Sequence, residues 1–385
     1  MLDTVALVMD SSMFTILKYD AFQPSVRGFF HPPYTILGSR GVAHGFLNPT
    51  RAELLSGKLY PRLKVTKRAV RGGFQIVMRI EFSVPKLLYN NNFDEITDQQ
   101  FDEVIDTLRL RLKEKGVLVS RPMLVDAPLS KIDYSKNIVL EKFSNSRLII
   151  NELSKADMHL WLDLEDVKYR NAGYGVKYRN NGFELACYDK SKDLLKGKNS
   201  DKKSEEKDNA IQLDLLEKLT KKDAVEIFRI EARLNSRQKI RQTFKAVGIE
   251  AQPTFKEAFR SDYSRKILQY YWQQLERGYK ALEYNPNSPS KMFADLAGYN
   301  PDKRLSVLLK AVAIKVLTQE LGVRGYRNLV NDFSQASWVN SRKTIQSLKA
   351  PLNSWSPLRQ ITQALQEFRP VKLAEHTDNL YSNSK

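Results

Sequence analysis

The stretch Gly175–Lys190, GVKYRNNGFELACYDK, predicts a β-hairpin whose second strand has one apolar and one polar side. Its centre, Asn180-Asn181-Gly182, is a turn signal, because Asn and Gly tolerate the positive φ angles of tight hairpin turns. Side chains along a strand alternate between the two faces of a sheet. The second strand therefore directs Phe183, Leu185 and Cys187 to one face and Glu184, Ala186, Tyr188 and Lys190 to the other.

Three further segments repeat this alternation. They are VMRIEFSV at Val77–Val84, SKIDYSKN at Ser130–Asn137 and IFRIEARL at Ile227–Leu234. If the four strands pair, one polar face carries Tyr188, the acids Glu81, Asp133 and Glu231, and the cations Lys131, Arg229 and Arg233. Acids that share a site repel one another unless a divalent cation or neighbouring Lys and Arg side chains offset the charge. A tyrosine beside a bound metal could attack a phosphodiester.

A simpler interpretation of this pattern stays open. Alternating polar residues are ordinary on the solvent face of an antiparallel sheet. In that case each acid is a surface partner of the Lys or Arg two positions away. Cys187 points to the apolar side and belongs to the core on either interpretation.

Strand signals dominate the first 250 residues, and helical signals dominate the rest. Further strands are predicted at Thr4–Met9, Leu63–Val70 and Phe74–Ser83, and a capped helix at Thr97–Gly116. Later helices are predicted at Pro253–Tyr284, Asp302–Leu321, Tyr326–Phe333 and Ser356–Phe368. We predict an α+β fold, an α/β sandwich with a mainly antiparallel sheet and helices on one face, followed by a basic all-helical C-terminal region. The predicted domains are 1–250, with a mobile loop at 196–210, and 251–385.

The charge of the chain points to a polyanionic partner. The 385 residues include 62 Lys and Arg against 44 Asp and Glu, a formal net charge of +18. Nucleic acid is the first candidate. The single cysteine excludes a disulfide framework and a Cys-rich zinc site, and no two of the four histidines have a metal-ligand spacing. The N-terminal residues lack the features of a signal peptide and no apolar run is long enough to span a membrane, so we expect a cytoplasmic protein with no membrane partner.

Five segments occur in a set order between Leu2 and Arg241: LDTVALVM, RIEFSVPKLLYNNN, SKIDYSKN, FELACYDKSKDLL and IFRIEARLNSRQKIR. In that order they resemble the rolling-circle replication initiators of filamentous phages, the gene II/X type, and more distantly plasmid initiators that lack a paired-histidine motif. LACYDKSKD is the most specific piece. The C-terminal third matches in its basic, helical character alone. Asn137 departs from the pattern, because some plasmid relatives carry a second acid there.

The resemblance implies a DNA nickase and strand-joining enzyme that acts through a 5′-phosphotyrosine intermediate. It makes Tyr188 the nucleophile, and Asp133, Glu231 and Glu81 the ligands of Mg²⁺ or Mn²⁺. Lys190 would lower the phenol pKa or hold the phosphate. The expected DNA contacts are Arg229, Arg233, Lys131, Arg237, Lys239 and Arg241. The expected partners are origin DNA with an exposed single strand or hairpin, and in the bacterial host a helicase and a single-strand-binding protein. The protein could act as a homodimer.

Two alternatives remain at this point. The chain could be a non-catalytic replication or partition protein that binds an origin, with Tyr188 stacking on a base. It could also be a relaxase or transposase type of nickase, although those usually carry the paired histidines that this sequence lacks.

Overall fold

A computed structural model of the chain describes residues 1–38, 40–140, 145–155, 166–170, 174–195, 226–279, 288–349, 357–372 and 375. The predicted mobile loop at 196–210 lies outside the described residues. The strands are β1 (Leu2–Asp10), β2 (Phe14–Ile16), β3 (Val42–Leu47), β4 (Arg62–Val70), β5 (Gly73–Ser83), β6 (Val117–Val119), β7 (Leu129–Val139), β8 (Asp166–Arg170), β9 (Gly175–Asn180), β10 (Phe183–Asp189) and β11 (Ile227–Leu234).

Nine of these strands form one sheet in the order β3-β4-β5-β1-β7-β11-β10-β9-β8, while β2 and β6 form a small separate one. Every pairing in the described sheet is antiparallel. The predicted fold class, an antiparallel sheet with helices and a helical C-terminal region, is confirmed. The four strands with a polar side all belong to the large sheet, but β1 lies between β5 and β7. Both predicted hairpins are present, and Gly72 and Gly182 have the positive φ angles that their turns require.

The helices are α1 (Arg27–Phe30), α2 (Arg51–Leu55), α3 (Val84–Tyr89), α4 (Phe101–Glu114), α5 (Arg121–Val125), α6 (Ser146–Lys155), α7 (Lys190–Leu195), α8 (Arg237–Ala246), α9 (Phe255–Ala258), α10 (Ser261–Tyr279), α11 (Pro289–Tyr299), α12 (Leu305–Asn331), α13 (Gln335–Gln346) and α14 (Pro357–Glu367). The two helices predicted at Asp302–Leu321 and Tyr326–Phe333 are one continuous helix, α12. A glycine inside a helix costs only about 1 kcal/mol. The contact of Tyr326 with Trp338 of α13 helps to hold the helix together beyond Gly325.

Helices cover the apolar face of the large sheet. Phe82 of β5 meets Phe255 of α9 edge to face, with 5.8 Å between ring centroids. Phe183 of β10 stacks on Tyr271 of α10 at 4.2 Å. The hydroxyl of Tyr134, on β7, donates a hydrogen bond of 3.0 Å to the carbonyl of Ala258. These contacts leave the opposite, polar face for the site residues.

Helices that precede residue 250 in the sequence and helices that follow it both contribute side chains to the core of the sheet. Side chains of α9, α10 and α14 share one apolar core with the strands. By contrast, α11, α12 and α13 pack in two small clusters of their own, around Leu296 with Leu308 and around Ile314 with Trp338. The apolar clusters of 288–349 are therefore distinct from the core of the sheet, to which helices beyond residue 250 contribute. No helix in the described ranges combines the length and apolar character that a bilayer span requires.

Candidate functional site

Strand register brings the predicted site residues together on the polar face. Three rows cross β7, β11 and β10, in that strand order: Asp133–Arg233–Glu184, Ser135–Glu231–Ala186 and Asn137–Arg229–Tyr188. Glu231 is therefore a diagonal neighbour of both Asp133 and Tyr188, a separation that long side chains can bridge. We call Tyr188, Asp133, Glu231 and Arg233 the tyrosine site.

The phenol of Tyr188 is bound to Glu231. Its hydroxyl donates a hydrogen bond of 3.2 Å to Oε2 of Glu231, and Nη2 of Arg233 donates one of 2.7 Å to the same oxygen. Burial raises the pKa of Tyr188 well above its usual range, and the negative charge of Glu231 adds to the shift. The phenol is therefore neutral at physiological pH in the absence of substrate.

Glu231 is a buried carboxylate that stays ionised. Its side chain is 3% exposed. Burial alone would raise its pKa, but the guanidinium groups of Arg233 and Arg229 outweigh burial and hold the pKa well below its usual range. Glu231 thus presents a permanent negative charge to Tyr188.

Asp133 is the second buried carboxylate, and one of its oxygens is unpartnered. Its Oδ2 forms an ion pair of 3.0 Å with Nζ of Lys131. Its Oδ1 is buried and has no hydrogen-bond partner among the described residues. Burial, together with the nearby charge of Glu231, raises the pKa of Asp133 to about 7 against the opposing charge of Lys131. A buried oxygen without a hydrogen-bond donor lowers the stability of the fold unless a ligand binds to it.

Glu81 lies on the same face but is bound by other groups. Arg79 and Lys131 approach its two oxygens at 2.6 and 3.2 Å. Lys131 crosses β1 to reach it, because Ala6 stands between the two in the register and its side chain is small. The polar face therefore carries a ladder of alternating charge from Arg79 through Glu81 and Lys131 to Asp133.

Part of the predicted donor set fits Mg²⁺ or Mn²⁺. Asp133 and Glu231 supply the hard carboxylate oxygens that these ions prefer, and Oδ1 of Asp133 lacks a partner. Glu81 does not join them: across the described ranges, no three His, Cys, Asp or Glu side chains are placed to hold one metal ion. Both oxygens of Glu81 are bound, by Arg79 and Lys131, and its role as a third ligand stays a prediction.

Lys190 does not belong to the strand that carries Tyr188. The strand β10 ends at Asp189, and Lys190 is the first residue of α7. The prediction that Lys190 shares a strand face with Tyr188 is therefore wrong. Its buried ammonium lies 5.8 Å from the ring centroid of Phe93. Burial, followed by the charge of Arg229, lowers the pKa of Lys190 to about 7, so a large fraction is neutral at physiological pH.

Arg229 has no surface to offer to a DNA backbone, which corrects its predicted role as a DNA contact. Its guanidinium is buried and lies 3.0 Å from Oδ1 of Asp3 on β1, which is two strands away across β7. It also donates hydrogen bonds of 2.9 Å to the carbonyl of Asn92 and 3.0 Å to Oδ1 of Asn137. Asn137, the departure from the family pattern, is thus a partner of this arginine.

The other predicted DNA contacts fall into two groups. Lys131 and Arg233 lie on the polar face, are partly exposed, and bind the acids of the tyrosine site. Arg237, Lys239 and Arg241 lie on α8, which packs its Ile240 and Phe244 into the apolar core. Lys239 lies 5.3 Å from the ring centroid of Phe183, an apolar-face residue. The three α8 cations and Tyr188 therefore lie on opposite faces of the sheet. The sequence alone did not indicate this.

Glu184 is a neighbour of the tyrosine site that the sequence prediction did not single out. It binds Arg233 at 2.6 Å and Lys177 at 2.7 Å, and Arg179 contacts its other oxygen. Its strand alternation already placed it beside Tyr188 on the polar face. The sequence did not indicate that Asp3 would pair with Arg229, because this pairing depends on the position of β1 in the sheet.

Searches against models of protein families, against curated proteins and against solved structures find no match.

Proposed function

We propose that this protein is a rolling-circle replication initiator that nicks one DNA strand and rejoins it through Tyr188. The observation that carries the proposal is the hydrogen bond of 3.2 Å between Tyr188 and Glu231, diagonally next to a carboxylate with an unpartnered buried oxygen. A phenol, two acids and several cations on one face of a basic protein suit phosphodiester chemistry. The resemblance of five ordered segments to phage initiators adds to this argument.

The proposed reaction is a transesterification. The phenolic oxygen of Tyr188 forms a bond to the scissile phosphorus, and the bond from phosphorus to the 3′ oxygen breaks. The 3′ oxygen leaves as a hydroxyl after it gains a proton, and a 5′-phosphotyrosine remains on the protein. Attack by a 3′ hydroxyl on this linkage reverses the step and rejoins the strand. No nucleotide hydrolysis is needed, because one ester replaces another.

The phenol must lose its proton in this reaction. Its hydrogen bond to Oε2 of Glu231 gives that proton a direct route out. Because the pKa of Glu231 lies below its usual range, Glu231 is a weak base that relays the proton. Lys190 is a second candidate acceptor, since its lowered pKa of about 7 supplies a neutral amine, and its charge acts on Glu231.

Asp133 and Glu231 are the residues that would hold Mg²⁺ or Mn²⁺ in this proposal. The bound cation would offset negative charge on the phosphate oxygens. Arg233 contacts both Glu231 and Glu184, and we assign it to the orientation of Glu231. The substrate in this proposal is origin DNA with an exposed single strand, in the cytoplasm of a bacterial host, with a host helicase and a single-strand-binding protein as partners.

A covalent-adduct assay tests the proposal. Full-length protein is incubated with 3′-labelled single-stranded oligonucleotides tiled across the DNA that surrounds its own coding sequence, with Mn²⁺ or with chelator. A nick leaves the labelled 3′ fragment on Tyr188, so a denaturing gel reports the adduct as a shifted labelled band. We expect a metal-dependent band that is absent in Tyr188→Phe.

Tyr178→Phe is the matched control. Tyr178 is on the adjacent strand β9 but faces the apolar side, where its hydroxyl donates to the carbonyl of Leu153 at 3.2 Å. This variant loses a buried phenol hydroxyl and should keep the adduct. An adduct that persists in Tyr188→Phe would remove Tyr188 as nucleophile. DNA binding without an adduct in any condition would leave the non-catalytic origin-binding protein as the better description.

A further inference from the structure

A second group of polar-face residues lies at the other end of the sheet. Phe46 of β3, Lys64 of β4 and Arg79 of β5 align in one row of the strand register. The ring of Phe46 is 41% exposed although it projects from a sheet. The ammonium of Lys64 lies 5.3 Å from the centroid of this ring. An exposed aromatic ring beside a cation is the arrangement on which unpaired bases stack.

His44 extends this aromatic surface. It lies two residues before Phe46 on the same face, and the two ring centroids are 6.1 Å apart. A ring nitrogen of His44 is hydrogen-bonded to Oγ1 of Thr66 at 3.0 Å. Burial and the charge of Lys64 lower the pKa of His44 and favour the neutral ring. The histidine therefore contributes a flat, neutral surface next to the phenylalanine.

Gly45, between the two rings, faces the opposite side of the sheet, where there is no room for a side chain. A Cβ atom at this position would lie 2.2 Å from Cγ1 of Val26 and 2.8 Å from the carbonyl of Pro24. The glycine lets β3 press against the segment behind it, so the side chains on either side of it, His44 and Phe46, project from the polar face.

A chain of ion pairs leads diagonally from Arg79, at the end of the Phe46 row, to the tyrosine site. Arg79 binds Glu81, Glu81 binds Lys131, and Lys131 binds Asp133. Six strand spacings separate β3 from β10. At about 4.8 Å per spacing, the two strands are about 29 Å apart. The row of Phe46 meets β1 at Val8 and the row of Tyr188 meets β7 at Asn137, so the two side chains are also offset along the strands and lie farther apart than that. A single strand several nucleotides long would cover this distance.

We propose that Phe46 and His44, with Lys64 and Arg79, form a stacking site for single-stranded DNA at the far end of the polar face, and that the strand held at Tyr188 extends to it. The inference rests on the proposed function for the identity of the strand. Cations along the face attract the phosphates, and the exposed Phe46 ring receives a base. A net charge of +18 over the chain agrees with a polyanionic occupant.

Fluorescence anisotropy with full-length protein tests the stacking site. The probes are labelled oligo-dT strands of about 4 to 16 nucleotides, and a Tyr188→Phe background prevents cleavage. We expect Phe46→Ala to weaken binding of the longest strand about tenfold, a typical effect for one stacked base. The shortest strand is too short to reach both ends, and its affinity should change less. Lys64→Gln should reduce the slope of log affinity against log salt by about 0.7.

Phe74→Ala is the matched control. Phe74 lies on the neighbouring strand β5, is 62% exposed, and lies over Lys67 on the opposite face. This variant should bind DNA as tightly as the parent. Equal affinities for the parent, Phe46→Ala and Phe74→Ala, with unchanged circular dichroism, would overturn the stacking site. Loss of affinity in both phenylalanine variants would overturn its placement on the polar face.

The adduct assay separates this inference from the proposed function. If DNA binding depends on Phe46 but no adduct forms, the stacking site stands and the nicking function fails. If the adduct forms normally and Phe46→Ala binds as the parent does, the function stands and the stacking site fails.

Discussion

The hydroxyl of Tyr188 donates a hydrogen bond to Oε2 of Glu231 although neither residue stands opposite the other in the sheet. Tyr188 is opposite Arg229, and Glu231 is opposite Ala186. The small side chain of Ala186 leaves room for the diagonal contact. The same carboxylate oxygen accepts a hydrogen bond from Arg233, so one acid links the phenol to the cations of the polar face.

Glu231→Gln should abolish the covalent adduct and destabilise the fold. The amide removes the charge that offsets the partly exposed Arg233 and the buried Arg229, and breaking a buried pair costs about 3 to 5 kcal/mol. Urea unfolding measures the loss. Glu184→Gln is the control, because it also removes a partner of Arg233 but does not touch Tyr188. It should be destabilised and still form adduct. A Glu231→Gln protein that forms adduct at the parent rate would contradict the assignment.

Asp133→Asn should stabilise the metal-free protein, and the gain should grow with pH. Burial raises the pKa of Asp133 from the ordinary 3.8 to about 7, so the folded state binds its proton more tightly than the unfolded state. Ionised Asp133 therefore costs stability progressively as pH rises from about 4 to 7, and the cost is constant above that range. Thermal unfolding in chelator should show a gain of a few degrees at pH 8 and a smaller one at pH 5. The same difference at both pH values would contradict the shifted pKa.

Manganese binding should depend on two acids and not on the third. We expect Asp133→Asn and Glu231→Gln to weaken Mn²⁺ binding at least tenfold, because each removes a charged oxygen ligand. Glu81→Gln should bind Mn²⁺ within about threefold of the parent, since Arg79 and Lys131 already occupy that carboxylate. Calorimetric titration of each variant measures this. Equal losses in all three variants would place Glu81 in the metal site after all.

Arg229→Met should destabilise the protein by about 3 to 5 kcal/mol, because it leaves the buried carboxylate of Asp3 without its cation. Replacing both residues, as Asp3→Asn with Arg229→Met, should recover part of that loss. Urea unfolding of the four proteins in this cycle gives the coupling energy. Additive effects would show that the two residues do not interact.

Local periodicity was sufficient to place the site residues on one face. Alternation is a property of each strand alone, so Glu81, Asp133, Tyr188 and Glu231 could be assigned to a shared side before their pairing was known. The hairpin turns at Gly72 and Gly182 were equally local.

Features that depend on distant parts of the chain could not be predicted in this way. The insertion of β1 between β5 and β7 determines that Asp3 meets Arg229 and that Ala6 separates Glu81 from Lys131. The start of α7 at Lys190 was missed because β-strand alternation carries no signal for where a strand ends. The placement of α8 on the apolar face follows from Ile240 and Phe244, whose contacts are with the core of the sheet.

The central position of β1 has a consequence for how the chain is made. Its partners in the sheet are residues 77–83 of β5 and 129–134 of β7, so one edge of β1 cannot be fully paired until residue 134 has left the ribosome. Until then β1 can pair with β5, in the meander of β3, β4 and β5, but its other edge has unpaired backbone groups. During co-translational folding, β1 therefore connects the part of the sheet that is synthesised early with the part that is synthesised later. Pairing between strands so distant in sequence is slow.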